Sequence, residues 1–191
     1  VLADVKTAYT EPLEKIFPTA VPHTHRQIDR PTFAPYTKGK HKGRSLKIAK
    51  PRVCIPVFPG TNCEYDSARA WERVGAKPEI MVVRNLTPQA VEETVTAMAE
   101  AIKRAQILML PGGFSGGDEP DGTGKFIAAM FRAPQIAEAV HRLLHDHDGL
   151  ILGICNGFQA LLKLGLLPYG EITDLDENTP TLTYNNIGRH V

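Results

Sequence analysis

The chain has 191 residues, of which 42% are hydrophobic and 23% charged, a composition typical of a globular domain that excludes a disordered or collagen-like chain. This length suffices for one ordinary domain with an additional segment. No apolar run approaches the roughly 20 residues of a membrane helix, so we expect no membrane partner. The chain starts without Met or a signal-peptide pattern and ends without a helix cap, which indicates an interior piece of a longer polypeptide.

The three cysteines, Cys54, Cys63 and Cys155, are too few and odd in number for a disulfide framework. We therefore predict a cytoplasmic protein whose thiols stay reduced. There is no Cys-x-x-Cys pair and no cluster of His and Cys at zinc spacing, so we predict no metal site. Cys54 and Cys63 could form a redox pair, but packing in the core or in a turn is the favoured interpretation.

The net charge of +1 conceals a basic N-terminal part and an acidic remainder. Residues 1–52 carry 11 Lys and Arg against 4 Asp and Glu, whereas residues 53–191 carry 11 against 17. The run Lys38-Gly-Lys-His-Lys-Gly-Arg44 is compatible with phosphate binding, but no aromatic residues or recognition helix accompany it. We interpret it as a solvated linker and expect no nucleic-acid partner. Weak periodicity and five prolines predict that residues 1–50 form an extended basic connector.

From residue 53 onward, short apolar strands alternate with amphipathic helices. The predicted strands cover residues 53–58, 79–83, 106–110 and 149–152. Continuous apolar strands separated by helices predict a parallel sheet with helices on both faces, which is an α/β fold of three layers. In such a fold the ligands lie beyond the carboxyl ends of the strands, so the turns that follow the strands should carry the chemistry.

Three helices are predicted between these strands. The first should bury Ala68, Trp71 and Val74 on one face. The second begins with Thr87 as its N-cap, because a hydroxyl side chain can accept a hydrogen bond from the first turn. The third covers about residues 134–147.

The strongest chemical signal is Gly153-Ile-Cys-Asn-Gly157, between the fourth strand and a helix. It has the pattern of a nucleophile elbow with cysteine in place of serine, in which small residues let strand and helix approach around a strained turn. The N-terminus of the next helix points at Cys155 and favours the thiolate, and the backbone N–H of Asn156 can bind an oxyanion. The alternative is an ordinary buried cysteine, which the flanking glycines make less favoured.

The glycine loop after the third strand, Pro111-Gly-Gly-Phe114, strengthens the nucleophile interpretation. Adjacent glycines at the end of a neighbouring strand can present a second backbone N–H to the same oxyanion. They also suit a tight turn that needs positive φ, and both interpretations can hold together. The loop lacks the patterns of phosphate-binding loops, so we expect no nucleotide there.

The elbow Gly153-Ile-Cys-Asn-Gly-Phe-Gln159 and the Pro-Gly-Gly-Phe-Ser loop together resemble the class I, or triad-type, glutamine amidotransferase domains. Three further stretches are Pro59-Gly-Thr-Asn-Cys-Glu64, Phe114-Ser-Gly-Gly-Asp-Glu-Pro-Asp-Gly122 and Leu161-Leu-Lys-Leu-Gly-Leu-Leu-Pro168. They narrow the resemblance to the glutaminase domains of phosphoribosylformylglycinamidine synthases (FGAM synthases), ligases of purine biosynthesis. The resemblance covers about residues 51–191 and implies a flavodoxin-like fold.

The resemblance implies that Cys155 attacks the side-chain amide of glutamine and forms a γ-glutamyl thioester while ammonia leaves. Gly113 and Asn156 would bind the oxyanion. The residues that would bind the substrate are Gly112, Phe114 and Gln159. The ammonia would pass to a synthetase domain, upstream in the same polypeptide or in the same complex. ATP and Mg²⁺ would act in that absent synthetase portion, and this domain itself would need no cofactor.

The sequence departs from the family pattern where the catalytic His and Glu are expected. After Cys155 the single histidine is His190, and neither Glu171 nor Glu177 stands in a His-x-Glu context. The resemblance therefore implies a domain that is incomplete at its C-terminus. Such a piece would be acylated but would turn over poorly, because it lacks the general base.

Two other functions stay open at this point. One is a different cysteine hydrolase of related fold, such as a γ-glutamyl peptidase, and the other is a docking domain without catalysis. The acidic residues Asp118, Glu119 and Asp121 could bind a cation or face a synthetase partner, but we interpret them as a solvated loop tip.

Overall fold

The computed structural model describes residues 1–14, 48–116 and 124–182. These residues fall in two compact units: helix α1 (Leu2–Glu14) belongs to one, and residues 48–182 belong to the other. The basic run at 38–44, the acidic residues at 118–121 and His190 lie outside the described residues, so the interpretations given for them stay predictions.

Helix α1 lies at the start of the segment that the sequence predicted to be extended. Residues 2–14 are helical instead. The described side chains from Val1 to Tyr9 are all exposed. Because the described side chains of α1 are not packed against a core, they need no apolar periodicity, and the pattern that marks other helices is missing among them. The assignment of residues 1–50 as a connector between domains stays a prediction.

Strands and helices alternate along the larger unit. The strands are β1 (Arg52–Val57), β2 (Lys77–Val82), β3 (Ile107–Leu110) and β4 (Leu150–Gly153). The helices are α2 (Glu64–Arg73), α3 (Pro88–Arg104), α4 (Lys125–Phe131), α5 (Pro134–His145), α6 (Asn156–Leu164) and α7 (Leu166–Tyr169). The four predicted strands are confirmed with shifted ends. Helices α4 and α7 were not predicted, since helices this short contain too few turns to show a period.

The N-terminus of α3 is formed as its sequence predicts. Thr87 has an extended backbone, and its hydroxyl accepts a hydrogen bond from Ala90 N at 3.1 Å. Pro88 follows at the first helical position, where its missing N–H costs nothing.

The four strands are parallel and lie in the order β2-β1-β3-β4. The chain passes from β1 through α2 to β2 at one edge, and then crosses through α3 to β3 on the other side of β1. The direction of winding therefore reverses between β1 and β3. In sheets of this kind, the reversal opens a crevice at the carboxyl ends of the two strands. The turns after β1, β3 and β4 are neighbours at that edge.

Two apolar layers cover the two faces of the sheet. The larger layer packs α3, α4, α5 and α6 against the sheet. The smaller layer is formed by α2 with β1 and β3, and its buried side chains are Val53, Ile55, Ala68, Ile107 and Met109. This arrangement confirms the α/β fold with helices on both faces. Trp71 packs against the smaller layer, as predicted. Val74 is 75% exposed, contrary to prediction, because α2 ends at Arg73.

The smaller layer does not extend over β4. Leu150 pairs with Ile107 and Leu152 with Met109, so their side chains point to the same face as this layer. Leu150 is nevertheless 64% exposed and Leu152 42% exposed. The predicted covering of both faces therefore fails at β4.

Among the described residues, no helix is both long enough and apolar enough to cross a membrane.

Candidate active site

Cys155 occupies the strained turn that the sequence predicts between β4 and α6. Its backbone has φ 51° and ψ −105°, a conformation that costs a non-glycine residue free energy. Hydrogen bonds on both sides hold the turn: Ile154 N donates to Leu110 O at 3.0 Å, and Gln159 N donates to Cys155 O at 3.0 Å. The residue is exposed, so the alternative interpretation as a buried structural cysteine is not supported.

The glycines on either side of Cys155 are required by the packing. A Cβ on Gly153 would lie 2.7 Å from the carbonyl carbon of Gly157. A Cβ on Gly157 would lie 2.1 Å from Leu110 O, at the end of β3. Any side chain at these positions would push α6 away from the sheet, because real Cβ atoms do not approach other atoms so closely. The sharp turn therefore depends on both glycines, as the sequence predicts.

The glycine loop that follows β3, residues 111–116, lies directly beside the elbow. A Cβ on Gly112 would be 3.4 Å from Cys155 Cβ and 3.6 Å from Ile154 O. Gly113 has φ 120°, which is confined to glycine in practice. Among the described residues, no acceptor receives the N–H of Gly113. The loop that contacts Cys155 through Gly112 thus carries, at Gly113, a backbone donor with no partner among the described residues.

The turn after β1, residues 58–62, packs against this glycine loop from the side opposite the elbow. Asn62 N donates to Gly112 O at 2.9 Å, and Phe114 N donates to Gly60 O at 2.8 Å. Gly116 N donates to Pro59 O at 3.0 Å. The first two of these bonds make an isolated antiparallel bridge between Thr61 and Gly113.

Asn156 connects the elbow to the glycine loop through its side chain, which the sequence analysis did not foresee. The side chain is buried, and its Oδ1 accepts from Ser115 N at 3.2 Å and from Ser115 Oγ at 2.7 Å. Its Nδ2 donates to Gln159 Oε1 at 3.2 Å. Ser115 is 3% exposed, so its hydroxyl needs a hydrogen-bond partner within the protein. In the sequence, the serine inside the glycine loop is the signal of such a contact.

The structure brings together most of the predicted site residues. Cys155, Gly112, Gly113, Asn156 and Gln159 belong to one connected group at the carboxyl edge of β3 and β4. Phe114 is in the same loop and is 55% exposed. The roles proposed for these residues in catalysis and substrate binding stay predictions.

The other two cysteines are free thiols with different surroundings. Cys54 is buried within the larger apolar layer, where burial and the nearby Glu79 carboxylate raise the pKa of its thiol to about 12. Cys63 is exposed and precedes α2 with φ 69°. One cysteine therefore packs in the core and the other lies in a turn, in agreement with the favoured interpretation.

Histidines and carboxylates form no metal centre in the described part of the chain. No group of three or more His, Cys, Asp or Glu side chains there could hold a metal ion. His141 and His145 lie one turn apart on α5 with ring centroids 4.5 Å apart, and they line a groove between α5 and α7. Neither ring hydrogen-bonds to Cys155.

An α/β domain with a strained turn between a strand and a helix, and a small residue on each side of the exposed Cys155, has the architecture of the nucleophile-elbow proteins. The comparison with family models is consistent with this. The chain belongs to the family of CobB/CobQ-like glutamine amidotransferase domains, whose model matches residues 50–191.

The names of the curated relatives describe a narrower group of proteins than the family model does. Over 142 residues the chain is 37% identical to phosphoribosylformylglycinamidine synthase subunit PurQ of Dehalococcoides mccartyi, which covers 74% of this chain and 50% of the relative. The protein of the same name from Treponema denticola is 37% identical over 151 residues, 73% of this chain and 50% of the relative. The chain thus spans about half the length of the curated relatives it matches.

One solved structure, described as PurLQS from Thermotoga maritima, is 32% identical to this chain with a TM-score of 0.43. The match covers 61% of this chain and 45% of that chain.

Proposed function

We propose that the chain is the glutaminase part of a phosphoribosylformylglycinamidine synthase, which releases ammonia from glutamine for an ATP-dependent ligation. The membership of the glutamine amidotransferase family and the relatives named as synthase subunits support this proposal. The observation that carries it is the exposed, strained Cys155 at the start of α6, beside the glycine loop in which the N–H of Gly113 has no acceptor among the described residues. A nucleophile and an oxyanion donor are the two groups that amide cleavage needs first.

The proposed reaction begins with attack of Cys155 Sγ on the side-chain amide carbon of glutamine. The carbonyl oxygen becomes an oxyanion that accepts hydrogen bonds from the N–H groups of Gly113 and Asn156. The C–N bond then breaks, the nitrogen takes a proton and leaves as ammonia, and a γ-glutamyl thioester remains on the sulfur. Water hydrolyses the thioester to glutamate. Gly112, Phe114 and Gln159 would bind the substrate.

Proton transfer is the step for which the described residues offer no candidate. The leaving nitrogen needs a general acid, and thioester hydrolysis needs a general base. We therefore propose that in residues 1–191 alone Cys155 is acylated by activated glutamine analogues, whose leaving groups need no proton, but that glutamine itself is turned over poorly. The relatives are named as subunits, so the ammonia would be used by a synthetase partner, with residues 1–50 as the connector to it. ATP and Mg²⁺ would bind to that partner.

The test is mass spectrometry of the three cysteines after reaction with 6-diazo-5-oxo-norleucine, a glutamine-like electrophile. Iodoacetamide, which has no resemblance to glutamine, serves as the comparison reagent. We expect the glutamine analogue to label Cys155 selectively and free glutamine to protect this residue. Iodoacetamide should label Cys155 and the exposed Cys63, while Cys54 stays unlabelled because burial raises its pKa to about 12.

Two results would count against the proposed function. If the glutamine analogue labels Cys63 as fast as Cys155, the elbow has no selectivity for a glutamine side chain and the docking-domain hypothesis replaces the enzymatic one. If Cys155 is labelled selectively but a γ-glutamyl peptide protects it better than glutamine, a peptidase of related fold is the better assignment.

A further inference from the structure

We propose that Thr61 is a positioning residue for the oxyanion-binding loop, residues 111–116, and acts through the turn after β1. This inference rests on the proposed function. The turn, residues 58–62, would hold the peptide between Gly112 and Gly113 in the one orientation that directs the N–H of Gly113 at the substrate. The effect of Thr61 would pass through the hydrogen bonds of the turn to the loop.

The order of the strands decides the direction of this N–H. Strand β3 lies between β1 and β4, so the loop after β3 has the turn of β1 on one side and the elbow of β4 on the other. Asn62 N donates to Gly112 O at 2.9 Å, so this carbonyl points to the β1 side. In a trans peptide the following N–H points the opposite way. The N–H of Gly113 therefore points to the side of Cys155.

The orientation of this peptide needs support from outside the loop. Both residues are glycines, whose backbones rotate with little steric resistance. A rotation that exchanged the carbonyl and the N–H would present an acceptor to the developing oxyanion instead of a donor. The hydrogen bond from Asn62 N opposes that rotation, because it would be lost.

Thr61 fixes the turn that supplies this bond. Its Oγ1 accepts from Phe58 N at 3.0 Å, and its own N–H donates to Phe58 O at 2.8 Å. Phe58 is 2% exposed and this bond is partly buried, so loss of the hydroxyl would leave the N–H without its acceptor in poor contact with water. The turn is also interlocked with the loop, since a Cβ on Gly60 would lie 2.2 Å from Phe114 O. A displaced turn therefore displaces the loop.

The experiment compares two reactions of Cys155 in the full chain. The γ-(4-nitrophenyl) ester of glutamic acid acylates the thiol: a bond forms between Sγ and the carbonyl carbon, the C–O bond breaks, and 4-nitrophenolate leaves with the electron pair. This reaction passes through an oxyanion. Iodoacetamide alkylates the same sulfur with loss of iodide and forms no oxyanion. Mass spectrometry of the peptide that contains Cys155 gives both rates.

We expect Thr61→Val to slow acylation by about tenfold or more, since complete loss of one oxyanion donor costs roughly 10²–10³ in rate. Alkylation by iodoacetamide should not change. Thr61→Ser keeps the hydroxyl acceptor and should react like the wild type in both assays. Urea unfolding monitors the fold of each variant, and Thr61→Ala takes the place of the valine variant if that one does not fold.

The possible contrary outcomes separate the two proposals. Equal acylation of wild type and Thr61→Val overturns the positioning role while the proposed function stands. A parallel loss of acylation and alkylation also overturns it, because the turn would then support the elbow and not the oxyanion donor. If the ester does not acylate Cys155 in the wild type, the proposed function fails, and the positioning role fails with it.

Discussion

At the scale of single residues, steric contact sets the shape of the elbow more than any side-chain interaction does. Cys155 is held at a positive φ because β4 and α6 meet at a distance that only glycine at positions 153 and 157 allows. The side chain of Asn156 then adds a polar connection to the glycine loop through Ser115. The nucleophile is therefore positioned by its neighbours, and each neighbour has a packing reason for its identity.

Gly157→Ala should destabilise the protein by about 3 kcal/mol, since a Cβ would lie 2.1 Å from Leu110 O and strand and helix would have to separate. Gly75→Ala is the matched control. Gly75 has φ 84° and nothing within 4 Å of a Cβ, so only backbone strain of about 1 kcal/mol is expected there. Urea unfolding measures both, and equal losses would contradict the steric explanation.

At the scale of elements, Arg132 joins three parts of the chain that are distant in sequence. It follows α4, and its guanidinium donates to Lys163 O at 3.2 Å and to Thr173 O at 2.9 Å. It also pairs with Asp174 at 3.1 Å, although that carboxylate is fully exposed and the ion pair contributes little. The two backbone carbonyls are the important partners, because they fix the end of α6 and the segment after α7.

Arg132→Lys should weaken this connection, because Nη2 donates to both carbonyls while Nη1 donates to Asp174, and the single nitrogen of lysine cannot stand at both positions. We expect a loss of about 1–2 kcal/mol in unfolding free energy and faster hydrogen exchange at the amides around residue 173. Arg142→Lys is the control: its contact with Glu138 is an exposed pair along α5, and about 0.5 kcal/mol or less is expected. Similar exchange rates in both variants would refute the special role of Arg132.

At the scale of the whole molecule, the larger apolar layer contributes to the pH dependence of stability in the alkaline range through one buried thiol. Cys54 lies in this layer, and its pKa is raised from 9.0 to about 12, first by burial and then by Glu79. Below pH 9 the thiol is protonated in both the folded and the unfolded chain. Between pH 9 and about 12 the unfolded thiol loses its proton while the folded one keeps it. Stability contributed by the protonated thiol is therefore lost as the pH rises through this window.

Relative to Cys54→Ala, the wild type should lose about 1 kcal/mol of unfolding free energy between pH 8 and pH 10. The alanine variant is less stable at pH 8 because it leaves a cavity, but its stability should decline less with pH. Urea unfolding of both proteins at the two pH values gives the difference. Parallel declines would show that Cys54 ionises in the folded state as easily as in the unfolded one.

Some elements of this fold are predictable from the sequence, and others are not. The strands β1 to β4 were predicted because each is a short apolar run between turn residues, and the start of α3 because Thr87 and Pro88 have the side chains that cap a helix. Helix α1 was not predicted, because its exposed side chains carry no periodic signal. Val74 was placed on a buried face because periodicity does not show where a helix ends.

For the candidate site, the sequence by itself determined the parts: an elbow around Cys155, a glycine loop with Gly112 and Gly113, and their position at the ends of parallel strands. Only the tertiary structure decided how these parts support one another. The bonds from Asn62 to Gly112 and from Ser115 to Asn156 join residues that are 50 and 41 positions apart. A local sequence pattern indicates which secondary structure a residue prefers. Its hydrogen-bond partner in another loop depends on the strand order and on the packing of the two apolar layers, and these cannot be predicted from a local pattern.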